Sequence, residues 1–328
     1  MGVIIMQTTK DCAPPLFGFV DGHADTITEA MGKGQGLFRN SLHLDFERLS
    51  RFKSPVQVFA IWCADQYLDS AYGYANSAID SFNNELAKHS DIIEIALSLE
   101  DMERNARNNK ISAVLALEGG EPLTGRIEYI DHFFDRGVRL MTLTWSRETE
   151  LGYGVASGSE KGLKPFGVEC VKRMNELGMI IDVSHLNEAG FCDVATLSTK
   201  PFVASHSNAY SVSPHERNLK DSQIKTIADK GGMIGINLCP GLLTNDGIAH
   251  VDIVMDHIRH FIETGAVNNL GLGCDLDGIP APPEGFTDVL SLNMLADKIS
   301  GEFGEDVSQK IMSGNYYDFF VRFFSSES

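Results

Sequence analysis

Eight short apolar runs, each followed by a longer and more polar stretch, constrain this chain more than any other feature. The runs are LFGFVDGHAD (16–25), PVQVFAIWC (55–63), ISAVLALEGG (111–120) and GVRLMTLTWS (137–146), then MIIDVSH (179–185), PFVASHS (201–207), GMIGINLC (232–239) and LGLGCDLDG (270–278). They are mostly continuous in apolar residues rather than alternating, the pattern of strands buried on both faces. The stretches 70–91, 125–137, 166–178, 221–232 and 251–265 carry apolar residues at helical spacing, and several end in Gly, a common helix stop. Eight buried strands with helices between them read as a (β/α)8 TIM barrel. An open doubly wound sheet competes, but no GxGxxG follows the first run, so dinucleotide binding has no support. The 328 residues, 43% of them hydrophobic, suit one barrel domain over 1–328 with C-terminal helices packed on it.

A barrel places its chemistry at the C-terminal ends of its strands. The first run ends in His23 and Asp25, the third in Glu118, the fourth in Trp145-Ser146. The fifth ends in His185, the sixth in His206, the eighth in Asp275 and Asp277. Each has an ordinary explanation alone: a strand-end His is more often a packing residue, and Asp277-Gly278 is common turn chemistry. Gathering them on one rim is unfavourable unless they pair or hold a cation. Imidazole with carboxylate suits zinc and similar divalent ions. Residues i and i+2 of a strand point the same way, so His23 and Asp25 can reach one ion. His185 and His206, on neighbouring strands, can share a second, and Glu118 has two oxygens with which to bridge. His43, His89, His132, His250, His257 and His260 fall in helical or loop stretches and are expected at the surface.

Net charge is −18, which disfavours nucleic acid and anionic membrane as partners. No run is long enough to span a bilayer, and MGVIIMQTTKDC has neither a basic n-region nor a long apolar one. Six scattered cysteines without a CxxC are expected to be reduced thiols in a cytoplasm.

FVDGHADT, ALEGG, IIDVSHLN, PFVASHSNAYSVSPHERNL and GLGCDLDGI occur in that order on those runs. This set closely resembles the membrane (renal) dipeptidase family of zinc peptidases, from about residue 16 to GNYYDFF near the C-terminus. The resemblance implies a (β/α)8 barrel with two zinc ions, His23, Asp25 and Glu118 holding one and Glu118, His185 and His206 the other. Manganese or cobalt is compatible with the same donors. It further implies Asp275 as catalytic acid/base and Arg217 as the group that grips the carboxylate of a small peptide substrate. A homodimer is usual in that family. Acceptance of a D-residue at the second position is left open. Two positions depart from the family pattern. Trp145 stands where the family has a His that helps hold the substrate carbonyl, and an indole donates one hydrogen bond but carries no charge. Cys239 stands where an aromatic residue is frequent.

Two other classes compete. Related metal-dependent barrels cleave cyclic amides or phosphotriesters, many through a carboxylated lysine, but no Lys ends a run here while Glu118 does. A metal-binding homologue without catalysis would have no reason to keep Asp275 and Arg217 beside the donor set.

Overall fold

A computed structural model describes residues 18–246 and 248–325. Nine strands run along the chain: β1 (Val20–Ala24), β2 (Val56–Trp62), β3 (Ile93–Ile95), β4 (Ile111–Glu118), β5 (Val138–Thr142), β6 (Ile180–Asp182), β7 (Val203–Ala204), β8 (Met233–Ile236) and β9 (Leu270–Leu272). Every ladder is parallel, in the order β2-β1-β9-β8-β7-β6-β5-β4-β3. Pairing of β2 with β4, in register from Val56↔Ser112 to Trp62↔Glu118, closes eight of them into the expected (β/α)8 barrel.

The ninth, β3, was not anticipated. It pairs Ile93–Ile95 with Ile111–Ala113, and from Leu115 onward β5 takes over that edge of β4. Three residues are too few to stand out as an apolar run. Helices cover Ala71–Lys88, Glu128–Asp135, Pro165–Leu177, Asp221–Asp229 and Val251–Glu263, matching the stretches with helical spacing to within a residue at Pro165.

The bottom of the barrel is closed by the helix Asn315–Ser325. Phe319, Phe320 and Phe323 are buried against Val20, Val56, Ile180 and Met233, which begin or lie near the start of their strands. Each fully buried phenyl ring contributes about 1.5–3 kcal/mol. Tyr316 of this helix reaches between strands because residue 22 is glycine; a Cβ there would collide with its hydroxyl. The closed bottom leaves the opposite mouth as the accessible one.

His257 is not at the surface as expected. It is wholly buried, its Nδ1 accepting from Ala209 N (3.1 Å) and its Nε2 donating to Leu243 O (2.9 Å). Its helix faces two loops whose backbone groups need partners, and an imidazole offers one acceptor and one donor. Cys63, Cys170, Cys192, Cys239 and Cys274 are free thiols, while Cys12 and residues 16–17 of the first run lie outside the described residues. No helix among the described residues is long and apolar enough to cross a membrane.

Candidate active site

The open mouth holds a cavity of about 320 Å³ lined by Asp25, Glu118, Trp145, His185, Arg217 and Asp275 among others. His23 and His206 complete the floor and are fully buried. All eight side chains nominated from the sequence therefore meet in one place.

Glu118 is central. Its Oε1 lies 3.0 Å from His185 Nε2 and 3.6 Å from His206 Nε2, while its Oε2 lies 3.5 Å from His23 Nε2. His23 Nε2 is also 3.5 Å from Asp25 Oδ2. One carboxylate thus turns one oxygen to each half of the donor set. Asp275 offers an oxygen that falls with donor atoms of His23 and Asp25 in a group spanning 4.8 Å.

The backbone is bent to build this arrangement. His185, Asp275 and Asp277 adopt positive φ (68°, 58° and 70°), a conformation costly for side chains other than glycine and concentrated at functional sites. Regular pairing also stops early, at Asp182, Ala204 and Leu272 on β6, β7 and β9. Gly278 lets the last loop pass close by, since a Cβ there would strike both Asp25 and Asp275. Asp277 accepts from Thr26 Oγ1 (2.5 Å) and His43 N (2.6 Å), pinning that loop.

The histidines are oriented from behind. Asp182 Oδ2 accepts from Ser205 Oγ (2.6 Å), and Ser205 Oγ lies 2.8 Å from His206 Nδ1. A carboxylate only accepts, so Ser205 spends its proton on Asp182 and accepts from His206 Nδ1–H. The Nε2 lone pair of His206 then faces the site. His185 Nδ1 is held by Ser146 Oγ (2.8 Å), and its Nε2 lies 2.9 Å from His206 Nε2. Three imidazoles and two carboxylates converge within a few ångströms, a crowding that a cation between them relieves. Both nitrogens of His23 and Asp25 Oδ1 are buried without a hydrogen-bond partner.

Electrostatics agree. Burial pushes Glu118 up to about 8, with Asp25 adding to the rise, and pushes Asp275 up to about 6. Burial alone would lower His23, but the Glu118 and Asp25 carboxylates outweigh it and raise it. Burial lowers His185 and His206, keeping them neutral and able to donate lone pairs. The residues present fit a divalent metal centre. Replacing Ser205 by alanine is expected to weaken metal affinity about 10–100-fold, read by competition with a chelating dye; unchanged affinity would show that His206 needs no support.

Arg217 closes one side. Its guanidinium donates to Ser207 Oγ (3.3 Å) and His206 O (3.1 Å), while its Nε is buried without a partner. No carboxylate among the described residues pairs with it, so a buried cation is left facing the cavity. Trp145 is a pocket wall, 5.4 Å from the Trp62 ring and 5.7 Å from His185. Arg147 lies 4.9 Å over it, held by Glu121 Oε1 at 3.0 Å.

Sequence reasoning missed Asn237, whose Nδ2 donates to Asp275 Oδ2 at 3.0 Å, and it missed Trp62 and the Asp182–Ser205 pair. The Ser before His185 and before His206 was a visible signal; for Asn237 there was none. Loop 147–163 docks beside the site, with Val155 N donating to His185 O (2.9 Å). The Pro-rich segment 280–288 lines none of the cavity, where Ile279 does.

A sequence profile of the family described as membrane dipeptidase (peptidase family M19) matches residues 16–321. An uncharacterised dipeptidase of Schizosaccharomyces pombe is 31% identical over 228 residues, 67% of this chain and 55% of that protein. The chain therefore spans little more than half the length of that relative. Among solved structures, dipeptidase AC, a metallopeptidase of family M19, superposes with a TM-score of 0.87 at 27% identity, covering 94% of this chain and 99% of that one. A metallopeptidase from Rhodobacter sphaeroides, liganded with a phosphinate mimic of the dipeptide L-Ala-D-Ala, gives a TM-score of 0.86 at 26% identity over 93% and 99%. A profile match that begins before β1 and ends within the last helix leaves no part of the barrel outside the likeness: the chain belongs to the membrane dipeptidase family of metallopeptidases.

Proposed function

We propose that this protein is a binuclear zinc dipeptidase. The observation that carries the reading is that an uncompensated buried guanidinium, Arg217, and a histidine–carboxylate cage line one cavity of about 320 Å³. Such a space admits a small ligand, and its polar groups are few and convergent. His23, Asp25 and Glu118 would hold one zinc ion, and Glu118, His185 and His206 the other. Bound there, the ions would supply an activated water and polarise the scissile carbonyl.

The chain's own residues do the rest. Asp275 takes the proton of the attacking water and returns it to the leaving amine. Asn237 holds one Asp275 oxygen, leaving the other free for that transfer. Arg217 grips the free C-terminal carboxylate with charge-assisted hydrogen bonds. Trp145 can donate a single hydrogen bond or serve as a wall, but it takes no proton. A D-residue at the C-terminal position is part of the proposal, supported by the L-Ala-D-Ala mimic bound to the Rhodobacter relative.

The test is a panel of L-L, L-D and cyclic dipeptides with added zinc and then with chelator, alongside metal stoichiometry. Two zinc ions per chain and chelator-sensitive cleavage of linear dipeptides are expected. Cleavage of the cyclic amides alone would replace the reading with a different amidohydrolase. Replacing Arg217 by methionine should lower kcat/KM for a dipeptide about 100-fold, yet change little for the same dipeptide amidated at its C-terminus. Equal losses on both substrates would remove Arg217 from carboxylate recognition.

A further inference from the structure

The catalytic cavity does not end at the metal cage. A second cavity of about 210 Å³ adjoins it, and Thr28, Glu29 and Trp62 line both, so they form the boundary between the two. Beyond that boundary lie Met31, Gln66, Tyr67 and Tyr74. The two tyrosine rings are stacked, 4.2 Å between centroids and 12° between planes.

Its direction follows from the barrel. The closed order of the eight strands is β1, β2, β4, β5, β6, β7, β8, β9, which sets β2 diametrically opposite β7. The Arg217 guanidinium is bonded at the end of β7, to Ser207 and the His206 carbonyl. A dipeptide anchored there by its carboxylate and crossing the cage must send its N-terminal residue toward Trp62 at the end of β2. This step rests on the dipeptidase reading above.

We propose that the side cavity receives the side chain of the substrate's N-terminal residue and selects a cationic one, lysine or arginine. Among its lining residues are three aromatic rings, an amide and one carboxylate, and no cation. Aromatic faces attract ammonium and guanidinium groups more than they attract alkyl chains. Glu29 stands at the mouth, and its partner Lys33 (2.7 Å) is on the same helix with half its side chain exposed. Such a pair is weak and yields readily to a ligand cation. Burial first, with the Asp25 and Glu29 carboxylates adding to it, pushes the Tyr74 hydroxyl up to about 12, so it stays a neutral phenol.

The experiment uses the zinc-loaded full chain and compares kcat/KM for Lys-Ala, norleucyl-Ala, Glu-Ala and Ala-Ala. Norleucine keeps the four side-chain carbons of lysine without its charged nitrogen. Lys-Ala is expected to exceed norleucyl-Ala about tenfold, with Glu-Ala below both. Glu29→Gln should bring the lysine-to-norleucine ratio to within about twofold of one. Equal rates for Lys-Ala and norleucyl-Ala in the native protein would overturn the proposal. So would Glu29→Gln lowering both in the same proportion, which would assign Glu29 to the α-ammonium group instead. Cleavage of Ala-Ala without a lysine preference removes only this inference; no cleavage of any dipeptide removes the dipeptidase reading and this one with it.

Discussion

Replacing Asp275 by asparagine is expected to lower kcat for dipeptide cleavage by about 10²–10⁴-fold while the protein still binds its metal. Three features of the site converge on this outcome. Asp275 lines the cavity beside Arg217 and the cage, so it reaches the reacting atoms. One of its oxygens is held by Asn237 Nδ2 at 3.0 Å, and an asparagine oxygen can keep that bond. The cage itself loses none of the five donor side chains, His23, Asp25, Glu118, His185 and His206. What is lost is a group beside the cage that can carry a proton between water and amine, and no other carboxylate next to the donor set has that freedom. Asp25 and Glu118 face histidines. Asp277 is engaged by Thr26 and His43. Asp275→Asn with native kcat would rule the acid/base role out. Loss of metal in the same variant would mean that Asp275 is a ligand, which its grouping with His23 and Asp25 makes a pointed comparison.

The barrel was legible because strands buried on both faces must be apolar throughout, and eight such runs are hard to produce otherwise. The site was legible because those runs end in residues that do not belong in a core. His23, Asp25, Glu118 and His206 are all buried, and only the strand-end rule says they are buried together. What stayed hidden depends on contacts across the chain. Asn237 and Asp275 are 38 residues apart, and nothing in INLC marks the Asn as a partner. Asp182 reads as the polar end of a strand, yet it organises His206 through Ser205. His257 shows the opposite error, a helical histidine that looks solvated but satisfies two backbone groups in the interior. Strand ends were also overestimated. Polarity marks where His185 and Asp275 lie, but nothing in the residue types announces their positive φ.

The second large effect concerns Glu118→Gln, which separates what the cage does for function from what it does for stability. With the bridging carboxylate gone, Oε1 no longer serves the His185–His206 half, and an amide N–H₂ must face ring lone pairs on one side or the other. Metal content should fall below one ion per chain, and kcat/KM by at least about 10³-fold, a loss of about 4 kcal/mol in transition-state stabilisation. The metal-free protein should respond in the opposite sense. Glu118 is buried with Asp25 and Asp275 adding to the rise that burial imposes on it, so the native apo form carries a crowded set of acids. A neutral amide of the same shape avoids the cost of protonating a buried carboxyl held at about 8, a cost present at any pH above the ordinary carboxylate value. The apo Tm is expected to rise by about 2–4 °C, while the further rise that zinc gives the native protein disappears. Differential scanning calorimetry of both proteins, with and without zinc, reads all four states. An apo Tm that falls in Glu118→Gln would show that the carboxylate stabilises the fold by itself, and the electrostatic argument for a cation at the centre of the cage would lose its basis.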